Sequence, residues 1–157
     1  IGLVMKIGII TFLVILVGSG LTYILKLTLR EKKKESLVME SKKETKREEL
    51  NGTEWEIRLI PAPGSGAKEE LDFISFIQGK FISGKLSTEG YPASNYTLTI
   101  ENDKRVIWET MQTVPTGVAS WRGEIEEGKM RGIMSLRKEG KAPQDFSFIS
   151  LGYRRKD

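Results

Sequence analysis

Hydrophobic positions along the chain change their spacing twice. From Ile7 to Leu25 there is no charged residue. A run of this length crosses a hydrocarbon core of about 30 Å as a helix rising about 1.5 Å per residue. The next stretch, residues 30–50, holds 8 basic and 6 acidic residues and neither Pro nor Gly. Its opposite charges recur three or four positions apart, which suits a solvated helix continuing from the first. After Asn51-Gly52 the pattern becomes short runs rich in Ile, Phe, Tyr, Thr and Trp, broken by turn residues about every ten positions. Strands are predicted near 54–61, 70–78, 80–87, 94–101, 105–113, 118–126, 129–137 and 145–153. Domains are accordingly expected at 1–29 (transmembrane helix), 30–52 (charged helical linker) and 53–157 (β domain).

Alternation gives several of these strands one buried face: Trp55, Ile57 and Leu59; Tyr96, Leu98 and Ile100; Met130, Gly132, Met134 and Leu136. Gln78-Gly79-Lys80, Asn102-Asp103-Lys104 and Glu127-Gly128-Lys129 read as tight hairpin turns, because each offers residues tolerant of positive φ. Eight hairpin-linked antiparallel strands would leave two bare edges in an open sheet, and closing the sheet removes them. The expected fold class is therefore all-β: an eight-stranded antiparallel up-and-down barrel preceded by one transmembrane α-helix. The run Asp72–Ile77 does not alternate cleanly, which places apolar side chains on the outside too, with Ile74 and Phe76 as the expected interface.

Composition narrows the chemistry. The chain has no cysteine and no histidine, which excludes disulfides, Cys/His metal sites and every Ser-His-Asp or Cys-His relay. Residues 53–157 carry 15 Lys/Arg and 15 Asp/Glu, so the whole basic surplus lies in residues 1–52. The β domain thus lacks the field that draws nucleic acid, and none is expected as a partner. Glu109 with Glu124 is a carboxylate pair of the kind acid–base catalysis uses, but nothing in the sequence gathers the two in a cleft. Gly64-Ser65-Gly66 lacks the Lys-Ser/Thr and helix of a phosphate loop. No catalytic residue, metal or cofactor is expected.

Gly52-Thr53-Glu54-Trp55 at the opening of the first strand, eight short strands and a last strand ending in Tyr153-Arg154-Arg155 resemble the lipocalin-like (calycin) barrels. That resemblance implies that Trp55 is closed over by Arg154 or Arg155 near the barrel's end. Tyr96, Trp108, Met111 and Trp121 would then line an interior that either packs shut or admits a small hydrophobic ligand such as a lipid, quinone or pigment. Arg122 with Glu124, and Glu109 with Gln112, would be polar groups for its head. The segments SNYTLT, WETMQT and WRGE further resemble small bacterial proteins with no assigned activity.

Two signals oppose each other on the membrane side. Lys6 precedes the apolar run, while Lys26, Arg30, Lys32, Lys33 and Lys34 follow it, so the positive-inside bias puts the barrel in the cytoplasm. Kinship with secreted barrels pulls toward the periplasm. Met5-Lys6 before an apolar stretch also resembles a cleavable secretory signal, but the run outlasts a typical signal core and no A-x-A-like site ends it. Gly18-Ser19-Gly20 allows close approach of another helix, and Lys32–Lys34 allow contact with anionic headgroups. The functional expectation is a membrane-anchored accessory subunit whose barrel contacts other membrane-protein subunits at the bilayer, in a bacterial inner membrane. The alternative is a tethered binder of a small hydrophobic ligand.

Overall fold

The computed structural model describes the backbone of residues 2–156 and the side chains from residue 20 onward. Helix α1 (Gly2–Leu50) is followed by β1 (Thr53–Pro61), β2 (Glu70–Ile77), β3 (Lys80–Ser83), the short helix α2 (Gly84–Thr88), β4 (Ser94–Glu101), β5 (Arg105–Val114), β6 (Gly117–Glu126), β7 (Lys129–Lys138) and β8 (Gln144–Arg155). Residues up to Lys42 make one compact unit and residues from Lys43 onward a second. Among the described residues no helix is long and apolar enough to cross a membrane. The expected span, residues 7–25, lies outside them for its first thirteen side chains.

In the second unit the eight strands form a closed barrel in sequence order, every neighbour antiparallel and β1 paired with both β2 and β8. This architecture is consistent with a lipocalin-like fold. The hairpins form where the turn chemistry places them, with positive φ at Gln78 and Gly79, at Asn102 and Asp103, and at Glu127 and Gly128. One predicted strand is cut short. Sequence spacing puts a strand over 80–87, but the chain leaves the sheet after Ser83 and turns into α2. Ser83 caps that helix, its Oγ accepting from the Leu86 N–H at 3.1 Å, so local side-chain chemistry ends the ladder.

The end of α1 belongs to the barrel unit. Leu50 is buried in the core, and the Arg47 guanidinium sits 5.0 Å from the centre of the Tyr96 ring. Gly52, at φ +79°, stops the helix in the left-handed conformation. Its N–H donates to the Phe76 carbonyl and its own carbonyl accepts from Lys156, each at 2.6 Å. The helix terminus thereby bridges β2 and the end of β8.

Aromatic rings fill the barrel interior. Phe76 and Phe81 lie 5.1 Å from the Trp108 ring, Phe81 is 5.2 Å from Trp121, and Phe148 completes the cluster at 5.8 Å from Trp121 and 6.2 Å from Trp108. The register explains how such large groups fit. Trp108 pairs with Gly123, Gly123 with Gly132, and Gly132 with Phe148, so one inward layer reads large, small, small, large across four strands. A methyl at Gly123 would overlap the Trp108 indole, and one at Gly132 would overlap the Phe148 ring and the Arg122 carbonyl. The two glycines are the space the two rings occupy.

Candidate functional site

Each expected site residue takes one of three positions: interior, barrel end or outer face. Tyr96, Trp108 and Trp121 lie in the interior and pack into the aromatic cluster. Buried with them are polar atoms without a hydrogen-bond partner: Tyr96 Oη, Trp108 Nε1, Gln112 Oε1 and Trp121 Nε1. Burial accordingly pushes the Tyr96 hydroxyl pKa up, against a lowering pull from Arg47. Met111 and Arg122 do not line the interior as expected. Both point outward, Met111 at 58% exposure, because the inward positions of β5 are Trp108, Thr110 and Gln112. On β6 the inward residues are Ala119, Trp121 and Gly123, so Arg122 lies between them on the outer face, where it pairs with Glu109. Glu109 and Gln112, three positions apart, fall on opposite faces and cannot serve one ligand head. Glu124 is likewise external, 3.3 Å from Arg131. The two candidate carboxylates therefore each face an arginine on the surface. Among the described residues no three acidic groups gather to hold a metal ion.

The barrel end beside α1 is closed differently from the expectation. Trp55 is buried, its Nε1–H donating to Thr53 Oγ1 at 3.0 Å. The group stacked on it is Tyr153, with ring centroids 4.4 Å apart and planes at 22°. Arg154 instead donates to Glu54 Oε1 from Nε at 2.9 Å and from Nη2 at 2.6 Å. Register is the reason: Trp55 lies opposite Tyr153 and Glu54 opposite Arg154, so Arg154 stands on the other side of the sheet from the indole. The second candidate, Arg155, reaches the Glu49 carbonyl at 3.3 Å. Lys156 binds Glu54 Oε2 at 2.5 Å, and Ser75 Oγ–H donates to the same oxygen at 3.3 Å. The hydrogen bond from Lys156 holds the Glu54 pKa below the ordinary glutamate range; burial opposes it and Arg154 adds to it. This carboxylate ties β1, β2 and the tail of β8 together, a role that only the register reveals.

A second buried carboxylate, this one inside the barrel, is not singled out by the sequence pattern. Asp72 lies opposite Ile57 and points into the barrel, buried at 3% exposure. Its Oδ2 accepts from Ser83 Oγ at 2.6 Å, and its Oδ1 from the Phe73 and Lys85 N–H groups at 2.8 Å each. Burial raises its pKa, although all those hydrogen bonds pull the other way. The bonds from Ser83 and Lys85 go to the corner where β3 becomes α2, so the side chain ties β2 to that turn. Its place in the broken alternation of residues 72–77 was the available signal.

Ile74 and Phe76, expected at an outer interface, are both fully buried in the core. Pairing of Trp55 with Ile74 and of Thr53 with Phe76 sets the parity of β2, and a one-residue difference in parity exchanges every side chain between faces. The outward apolar residues of this strand are Leu71 and Phe73, at 58% and 49% exposure. Leu71 lies opposite Arg58, and Arg58 opposite Ile149, so exposed apolar residues of β2 and β8 flank Arg58 of β1. Ile133, exposed on β7, adjoins Ile149 diagonally. Compared with family models, curated proteins and solved structures, the chain has no significant match.

Proposed function

We propose that the protein is a non-catalytic subunit of a larger membrane assembly, anchored by the apolar run Ile7–Leu25 and making its contacts through the outside of the barrel. The observation that carries this reading is the outer face of β2, β1, β8 and β7, where Leu71, Phe73, Ile149 and Ile133 stand in solvent around Arg58. Neighbouring exposed apolar side chains of this kind mark interaction sites more often than solvated surface. The anchor rests on the sequence, and a tether would keep the barrel close to a membrane-bound partner. The tethered-binder alternative is disfavoured by the aromatic cluster, whose rings occupy the space a ligand would need.

The test is native mass spectrometry of the full chain extracted in mild detergent from its own membrane, wild type against Leu71→Ser/Phe73→Ser. Both positions are outward, so the variant keeps the barrel's near-UV circular dichroism. A defined assembly that dissociates in the variant supports the proposal. An assembly of unchanged mass in the folded variant removes this face as the contact, and a wild-type chain that runs alone removes the subunit reading.

A further inference from the structure

The end of α1 interrupts a ladder. β3 pairs with β4 through Phe81 opposite Ser94 and Lys80 opposite Asn95, so the next pair in register would be Gly79 with Tyr96. Those two do not pair. The Gly79 N–H donates instead to Asn51 Oδ1 at 3.1 Å, and the Tyr96 carbonyl accepts instead from Arg47 Nη1 at 3.4 Å. The Arg47 guanidinium also lies over the Tyr96 ring. Side chains from the helix end thus stand at both positions where strand would meet strand, and β4 runs on beyond them paired with β5 alone.

One apolar side chain holds this end in place. Among residues 43–51 Leu50 is the only one that is apolar, and it is buried in the core. Lys43, Lys46 and Arg47 share its side of the helix and are half-buried. The last helix carbonyls are bound at the rim, Leu50 by Thr53 Oγ1 at 2.6 Å and Glu49 by Arg155 Nη2 at 3.3 Å. Leu50 and Thr53 also line a cleft of about 300 Å³, which gives the helix end room beside it. Gly52 supplies a pivot, because it ends the helix at φ +79° while its own backbone stays bonded to Phe76 and Lys156. If the helix end swings out about Gly52, Arg47, Asn51, Thr53 Oγ1 and the two carbonyls meet water, while the Gly79 N–H and the Tyr96 carbonyl meet each other. None of these polar groups is left buried and unpaired, so the movement costs chiefly the burial of Leu50.

We infer that residues 43–51 form a hinged wedge in the barrel wall: seated, the wedge keeps β3 and β4 apart at Gly79 and Tyr96; swung out, it lets them pair and lengthens the ladder. The Tyr96 ring packs 5.1 Å from Phe76 inside the barrel, so the aromatic interior senses which state the helix end is in. The device lies wholly within the unit that begins at Lys43. It holds whether or not the chain is a subunit, and it involves neither Leu71 nor Phe73.

The test uses the full chain in detergent. The chain has no cysteine, so Leu50→Cys carries the sole thiol, and Ala119→Cys, at a fully buried position of β6, is the reference. A wedge that swings out alone lets N-ethylmaleimide reach Leu50→Cys about a hundredfold faster than Ala119→Cys, with little dependence on dilute urea. Equal rates with equal urea dependence mean that the helix end leaves only on global unfolding, and they overturn the hinge. Leu50→Ser loosens the seat and separates a wedge from a frayed end through amide exchange at Gly79. Ladder formation slows that exchange about tenfold or more relative to the wild type, whereas fraying removes the Asn51 acceptor and speeds it. Slower exchange supports the wedge, and unchanged or faster exchange overturns it. Loss of near-UV circular dichroism in Leu50→Ser overturns it too, because the helix end would then be indispensable to the barrel.

Discussion

Replacing Gly132 by Ala tests the packing of the barrel most sharply. The new methyl would overlap two groups, the Phe148 ring and the carbonyl oxygen of Arg122. A ring can tilt, but that carbonyl belongs to a central strand held on both sides by β5 and β7. Overpacking of a well-filled core costs about 1–3 kcal/mol, and a backbone neighbour puts this site toward the upper end. Alanine returns about 0.5–1 kcal/mol by restricting the unfolded chain relative to glycine, leaving a net loss of about 2 kcal/mol. For a domain of roughly a hundred residues that lowers Tm by about 8–16 °C. Urea titration followed by tryptophan fluorescence is the assay, since Trp55, Trp108 and Trp121 all lie in the barrel and report on nothing else. Gly152→Ala is the control: with nothing near its methyl, it should show only the gain of about 0.5–1 kcal/mol from the restricted unfolded chain. Gly132→Ala unfolding within about 0.5 kcal/mol of the wild type would refute the large, small, small, large layer as the way this interior is filled.

Asp72→Ala removes an acceptor from the Phe73 N–H on β2 and from two donors at the β3–α2 corner, the Ser83 hydroxyl and the Lys85 N–H. The expected loss is about 2–3 kcal/mol in the same titration, with exchange fastest over Gly84–Thr88. The Asp72 pKa is raised by burial, so its protonated form favours the native state, a contribution fully present below the ordinary aspartate range and lost as pH rises through the raised value. Glu54 has the opposite sign. Its pKa is lowered in the folded state, so its contribution is present above the ordinary glutamate range and fades as pH falls through the lowered value. Glu54→Gln should flatten the acid limb of the stability curve, and an unchanged limb would mean that Lys156 and Arg154 do not hold the carboxylate.

Periodicity and turn chemistry determined much of the barrel. Strict alternation at Trp55–Leu59 and Met130–Leu136 fixes an inward face because side chains on a strand repeat every two residues, and the Gln78-Gly79 and Glu127-Gly128 pairs specify hairpins because they accept positive φ. Eight strands without a protected edge call for closure. What alternation cannot supply is parity where it breaks. Residues 72–77 are apolar on both faces, and their inward set was decided by the pairing of Trp55 with Ile74, a contact set by register. That pairing moved the exposed surface from Ile74 and Phe76 to Leu71 and Phe73. The same logic separated Arg154 from Trp55, because neighbours in sequence lie on opposite sides of a sheet and the partner opposite Trp55 is Tyr153. The strand expected over 80–87 became a helix at Gly84 because Ser83 caps it, with its hydroxyl fixed by Asp72, eleven positions earlier in the chain. Composition alone excluded cysteine and histidine chemistry. Which carboxylates stand alone, which are paired and which are buried was decided by tertiary structure, since charge interactions depend on distances that sequence separation does not encode.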